Sequence, residues 1–153
     1  MADHDPDRLQ EILTWVGTAN QLVITRLNQI LADIDLPLPQ FILLNHFSRE
    51  LQQSYTVTQL TSDFQANQPA ITKTIQNLVS KGYLSVEVNP SDRRVRHHYL
   101  TAAGREVCQA AIEKIMPDTQ LIFAGWTEQE IDALHQSLFR LKNWLNDNRQ
   151  TLT

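Results

Sequence analysis

Residues 56–104 read TVTQLTSDFQANQPAITKTIQNLVSKGYLSVEVNPSDRRVRHHYLTAAG, and this stretch decides the fold. Thr56-Val57-Thr58-Gln59 has the form of a capping box, in which the threonine hydroxyl and the Gln59 side chain satisfy each other's backbone N–H groups. It predicts a short helix through Phe64. The break Gln65-Ala66-Asn67-Gln68 leads to Pro69, placed where the first turn of a helix tolerates proline. Ile71, Ile75, Leu78 and Val79 then form an apolar stripe, and Gly82 stands where a helix end needs a left-handed residue. After it the hydrophobic period changes from helical to alternating. Tyr83 to Val88 alternate as a strand, Asn89-Pro90-Ser91-Asp92 is a turn cluster, and Val95, His97 and Tyr99 alternate on the return. Residues 83–100 therefore read as a β-hairpin with a basic tip, and Thr101 can cap the helix that follows.

On either side the pattern is helical. Leu9, Ile12, Leu13, Val16, Val23, Leu27, Ile30 and Leu31 predict one long amphipathic helix over 8–32, ended by Leu36-Pro37-Leu38-Pro39. A second helix is expected from about Gln40, carrying Phe41, Leu43, Leu44, Phe47 and Leu51. Beyond the hairpin, Val107, Ala111, Ile115, Leu121 and Ile122 mark a helix that Pro117 is expected to kink or interrupt. Thr127-Glu128-Gln129-Glu130 is a second capping box, opening a helix with Ile131, Leu134, Leu138, Leu141 and Leu145. The fold class is mainly α with a small antiparallel β-hairpin: helix, turn, helix and wing.

The chain has 153 residues, 42% hydrophobic and 20% charged, with a net charge of -4. One domain with a dimerisation arm fits that length. The single cysteine, Cys108, rules out an internal disulfide framework and fits a reducing compartment. The polar start MADHDPDR is unlike a signal peptide, and no apolar run is long enough for a membrane span, so a cytoplasmic protein with no membrane partner is expected. The acidic total hides an asymmetry. Residues 65–105 hold Lys73, Lys81, Arg93, Arg94, Arg96 and Arg105 against Glu87 and Asp92; six bases against two acids leave +4. The remaining seven bases and fifteen acids leave −8.

That basic segment suits double-stranded DNA. A helix is about 10–12 Å across and the major groove about 12 Å wide. Opposite the apolar stripe of residues 68–81 lie Gln68, Thr72, Lys73, Gln76, Asn77 and Ser80, whose amides, hydroxyls and ammonium can bond base edges and phosphates. A polar outer face alone is ordinary. The adjacent Asp92-Arg93-Arg94-Val95-Arg96, three arginines in four residues, turns the reading toward nucleic acid, because arginine suits narrow minor grooves. Asp92 is expected to hold a nearby guanidinium in a bidentate pair.

The runs TVTQLTSDFQANQPAITKTIQNLVSKGYL and NPSDRRVRHHYLTAAGREV resemble the MarR family of bacterial and archaeal transcriptional regulators. The wing's Asp-x-Arg is matched by Asp92 and Arg94, the closing Leu-Thr-x-x-Gly by Leu100, Thr101 and Gly104, and the lysine-glycine-aromatic turn by Lys81, Gly82 and Tyr83. The resemblance implies a winged helix-turn-helix at 36–104 between dimerisation helices at 1–35 and 105–153. It implies a homodimer on a pseudo-palindromic operator, usually as a repressor, with recognition helices in major grooves and Arg94, oriented by Asp92, in a flanking minor groove. Helices over 8–32 and 128–149 would interlace across the two-fold axis. Trp15, Phe139 and Trp144, outside the main stripes, agree with that surplus of apolar surface.

Many family members bind small aromatic or phenolic ligands, and Trp15, Phe41, His46 and Phe47 are the candidate lining here. The family's oxidant sensors carry a cysteine in the first helix; this chain has none there, and Cys108 reads as core. No metal site is expected, since His97 and His98 point to opposite faces of a strand and His46 and His135 stand alone. No cofactor and no catalysis are expected, for want of a phosphate loop, nucleophile elbow, His-Glu-x-x-His or Cys/His pair. The alternative is a winged-helix module that binds acidic proteins without DNA.

Overall fold

The computed structural model describes residues 4–49 and 54–149. Among them the order is α1 (Pro6–Ile30), α2 (Leu38–Arg49), α3 (Val57–Phe64), α4 (Gln68–Ser80), β1 (Leu84–Val88), β2 (Arg96–Leu100), α5 (Ala102–Ile122) and α6 (Glu128–Asp147). The architecture is the expected one, mainly helical with one antiparallel hairpin. Two compact units divide the chain, Met1–Ile115 and Met116–Thr153.

In the first unit, Asp5 caps α1 by accepting the Asp7 N–H at 3.1 Å. Pro39 sits inside the first turn of α2, which therefore begins two residues before Gln40. A proline there loses only an N–H that the helix leaves unpaired. Leu51 lies outside the described residues, as do the outermost residues of both termini. The capping box of α3 forms in full, with Gln59 N–H on the Thr56 hydroxyl at 3.2 Å and Thr56 N–H on Gln59 Oε1 at 2.8 Å. The turn to α4 is made by Gln65 at φ 53 and by Asn67, whose side chain caps α4 through the Ala70 N–H at 2.9 Å. Leu36, Leu43, Leu44, Leu60, Leu78 and Leu84 are fully enclosed, and Cys108 and Ala111 of α5 complete the core.

The hairpin pairs Leu84 with Leu100, Val86 with His98, and Val88 with Arg96. Its return strand turns one side chain fully inward. His98, 4% exposed, is the inward residue rather than Val95, His97 and Tyr99. The reason is an isolated β-bridge: Tyr55 and His98 exchange backbone hydrogen bonds of 3.1 and 2.9 Å. A single residue ahead of α3 thus acts as a third rung, which fixes which face of β2 turns inward.

The base of the wing is tied to α5 at one point. Gly82 turns the chain at φ +75. The Thr101 hydroxyl donates to the Gly82 carbonyl at 2.7 Å and accepts the Gly104 N–H at 3.0 Å, while the Thr101 N–H donates to the Tyr83 carbonyl. A Cβ built on Gly104 would stand 2.1 Å from the Tyr83 carbonyl oxygen. Pro117 does not interrupt α5, which continues to Ile122, although the boundary between the units falls beside it.

The second unit holds the end of α5 and α6. Phe123 and Trp126 pack edge to face in the connecting turn, with centroids 5.5 Å apart. Thr127 and Glu130 form the second capping box, and the hydrogen bonds from Thr127 hold the Glu130 carboxyl below its usual range. α6 buries no residue, and Leu138, Phe139, Trp144 and Leu145 are exposed on it. Within the first unit α1 is similar: none of its residues is buried, and Leu9, Ile12, Leu13, Trp15 and Val16 are exposed.

Gly104→Ala tests the wing anchor. The clash is with backbone, so relief needs the wing or α5 to move. The expected loss of stability is about 1–3 kcal/mol by chemical denaturation. An unchanged denaturation midpoint would show that the approach is not tight.

Candidate nucleic-acid interface

α4 buries Ile71, Ile75 and Leu78 and leaves its opposite side to solvent. Gln68, Lys73, Gln76 and Asn77 are exposed and Thr72 is half-buried. α3 braces the helix through Leu60. The far end is pinned by Lys81, whose ammonium donates to the Asp35 carbonyl and carboxylate, both at 2.9 Å, and to Gln40 Oε1 at 3.0 Å. Lys81 therefore brings no uncompensated charge to the basic segment; its partner Asp35 comes from the loop after α1.

The wing tip is a set of small turns. The Asn89 carboxamide oxygen accepts the Ser91 N–H at 2.9 Å. Asp92 Oδ1 accepts the Arg94 N–H at 3.0 Å, and the Asp92 carbonyl accepts the Val95 N–H. The expected bidentate pair is absent: among the described residues no guanidinium pairs with Asp92. Its carboxylate orders Arg94 through the backbone instead, the ordinary habit of aspartate in a turn. Arg93, Arg94 and Arg96 are all exposed.

Between α4 and the wing runs an open groove of about 500 Å³. Gln68, Thr72 and Gln76, one helical turn apart, form one wall, with Arg94, Val95 and Arg96 on the wing side. Thr56, Val57 and Thr58 from the start of α3, Ile75 and His98 complete it. Five of the site residues expected from the sequence thus converge. Lys73 and Asn77 do not line the groove, and neither do Asp92 and Arg93.

The α3 threonines and His98 were not among the expected site residues. The capping box marked Thr56 as a helix start and said nothing of what that start would face. His98 was hidden by its neighbour, since either histidine of the pair could have been the inward one. Its ring Nδ1 lies 3.1 Å from the Tyr55 carbonyl. Burial, above all, lowers the His98 pKa; the hydrogen bond to Tyr55 opposes this, and Arg96 and His97 add to it.

The four candidate effector residues separate. Phe47 is in the core, edge to face with Tyr55 at 4.9 Å. His46 packs against Tyr55 and Phe64, with Nε2 3.4 Å from the Asp63 carboxylate. Phe41 is half-buried against the core. Trp15, 64% exposed, lines a shallow depression on α1 with Asp7, Gln10, Glu11 and Thr14. Among the described residues there is no cluster of histidine, cysteine and carboxylate groups able to hold a metal, and no helix long and apolar enough to cross a membrane.

A MarR family model matches residues 34–95. The uncharacterized HTH-type transcriptional regulator YdcH of Bacillus subtilis is 30% identical over 127 residues, covering 82% of this chain and 85% of that one. The chain belongs to the MarR family. The fold agrees with solved members. Escherichia coli MarR C80S complexed with operator DNA is 24% identical, with a TM-score of 0.75 over 90% of this chain and 99% of that one. BpsR of Bordetella bronchiseptica, whose DNA binding is regulated by 6-hydroxynicotinic acid, is 21% identical, with a TM-score of 0.75 over 86% and 98%. The protein is accordingly a MarR-family transcriptional regulator, in a family of regulators rather than enzymes.

The backbone role of Asp92 separates two substitutions. Asp92→Asn keeps an oxygen acceptor and should leave amide exchange at Arg94 close to wild type. Asp92→Ala should speed it by about tenfold, the loss of roughly one hydrogen bond. Equal acceleration in both variants would mean that the charge of Asp92, not its acceptor geometry, orders the tip.

Proposed function

We propose that this MarR-family protein binds a pseudo-palindromic operator as a homodimer and represses transcription, reading bases with α4 and a minor groove with the wing. One observation carries the reading: Gln68, Thr72 and Gln76 share a groove with Arg94 and Arg96. Amides and hydroxyls that bond base edges stand beside guanidiniums that neutralise phosphates or enter a narrow minor groove. Lys73 and Asn77, on the other exposed edge of α4, reach the remaining base edges or the phosphates. Asp92 sets the tip and Arg93 extends its charge. The operator complex of E. coli MarR supports the same use of the fold.

In this reading residues 36–104 form the DNA-binding domain, and residues 1–35 and 105–153 form the dimer. The exposed large apolar residues of α1 and of α6 support it, since apolar surface gathered along a helix ordinarily marks a partner surface. A dimer also sets two recognition helices about one DNA turn, roughly 34 Å, apart. A small aromatic effector that releases DNA belongs to the same reading, supported by BpsR. Trp15 and Phe41 retain surface to offer such a ligand; His46 and Phe47 contribute packing.

The charge test is a salt series on duplex DNA followed by fluorescence anisotropy. The Arg94→Ala, Arg96→Ala double variant should bind at least about tenfold more weakly and flatten the log–log salt slope by roughly two units. A wild-type slope near zero would favour the protein-binding module instead. Sizing tests the dimer: the species should run near twice the chain mass of 17.6 kDa, and a monomer at micromolar concentration would contradict the assignment of α1 and α6.

A further inference from the structure

His98 is the one groove-lining residue able to change charge near neutral pH. The other ionisable groups lining the groove, Arg94 and Arg96, stay cationic. The ring is held in one tautomer. A carbonyl oxygen only accepts, so Nδ1, 3.1 Å from the Tyr55 carbonyl, carries the hydrogen. In the neutral ring Nε2 is then a bare acceptor. The backbone bridge between Tyr55 and His98 holds that carbonyl and the strand carrying the ring in register.

A bare acceptor in a groove shared with two arginines suits an anion badly unless it gains a proton. The groove otherwise has what a phosphodiester needs: the Arg96 guanidinium, the hydroxyls of Thr56, Thr58 and Thr72, and the amides of Gln68 and Gln76. We propose that this groove seats a backbone phosphate of the bound DNA and that His98 takes up one proton at Nε2 as the phosphate enters. The proton comes from solvent, the ring becomes imidazolium, and Nε2–H donates to the phosphate oxygen. Nδ1–H stays on Tyr55 throughout. The proposal rests on the DNA-binding reading and goes past it: affinity becomes a function of pH through one named residue.

The groups facing the ring set the direction. On β2 these are Arg96 and His97, with the uncharged Val86 opposite on β1; Arg94 of the wing tip and only neutral side chains of α4 and the start of α3 line the same groove, and His46 of α2 reaches the ring of Tyr55. In the free protein burial, Arg96 and His97 favour the neutral ring. A phosphate in the groove opposes Arg96 directly and favours the charged ring. Proton affinity is therefore lower in the free protein and higher in the complex. Between the two titration points DNA affinity falls as pH rises, by up to about tenfold per pH unit for each groove filled.

The experiment uses the full chain and a random-sequence duplex at fixed ionic strength. Affinity is measured from about pH 8 down to about pH 6, across the ordinary histidine range. Calorimetry in two buffers of different ionisation enthalpy counts protons taken up. Wild type should bind more tightly at lower pH and take up close to one proton per protomer when each groove is filled. His98→Gln, whose amide can still donate to Tyr55, should bind with a flat pH profile and no uptake, whereas His97→Gln should keep both. Should His98→Gln fold poorly, the His98 ring proton is followed by NMR in wild type, where its titration midpoint should rise on adding duplex. Binding without proton uptake, uptake that survives His98→Gln, or an unmoved His98 midpoint would overturn the proposal while leaving DNA binding intact. Failure to bind duplex at any pH would instead overturn the DNA-binding reading and this inference with it.

Discussion

The close approach of Gly104 to the Tyr83 carbonyl is the constraint on which the arrangement of helix, wing and scaffold depends. Three segments meet there: the turn that ends α4, the first strand of the wing, and the first turn of α5. A side chain at 104 would push them apart, since its Cβ would lie 2.1 Å from a backbone oxygen. With glycine there, the Thr101 hydroxyl can bridge the Gly82 carbonyl and the Gly104 N–H, satisfying one group left over from each helix end. Lys81 adds a second tie at the same end of α4, reaching back to Asp35 and Gln40. α4 is thus positioned from its C-terminal end, while its N-terminal end, capped by Asn67, is left at the groove.

Charge is distributed along the same division. Among the described residues Lys81 and Lys114 are paired, with Asp35 and Asp33. These lysines join α4 and α5 to the loop after α1, so part of the basic total serves to hold the fold. No such pair involves Arg93, Arg94 or Arg96, and the one acid at the tip, Asp92, bonds backbone. The wing therefore presents its full charge to solvent, whereas the chain outside residues 65–105 carries the acidic excess. For a DNA-binding protein that opposition confines phosphate attraction to one small surface, because screening limits a charge to about 8–10 Å.

Local chemistry made most of the fold legible. Capping boxes at Thr56 and Thr127, the left-handed Gly82 and the apolar stripes each report on a few neighbouring residues, and the structure keeps them. What could not be read depended on contacts distant in sequence. Tyr55 follows residues with no strand pattern, yet it pairs with His98 forty-three positions later and decides which face of β2 turns inward. Asp33 and Asp35 stand far in sequence from the lysines of α5 and α4 that pair with them, and no local pattern marks such partners. Pro117 was overvalued as a breaker: α5 runs through it. At the candidate site, residue types and helical spacing pointed to α4 and the wing, and five of those residues line one groove. They gave no means of telling which edge of α4 would face the arginines, nor that Asp92 would spend its carboxylate on a backbone N–H.

That edge has a consequence for how affinity and discrimination are divided. α4 exposes one cation, Lys73, and it lies off the groove; the wing exposes three. Counterion release follows the number of phosphates neutralised, so on the proposed reading most sequence-independent affinity resides in the wing. The groove wall of α4, made of Gln68, Thr72 and Gln76, adds little to that term because it carries no charge. It acts through hydrogen bonds whose partners must match, and an unmatched amide at a base edge loses its water without replacement. A helix of this composition would be a weak binder alone. On the proposed reading, sharing a groove with Arg94 and Arg96 lets it reject wrong bases without having to supply the attraction itself.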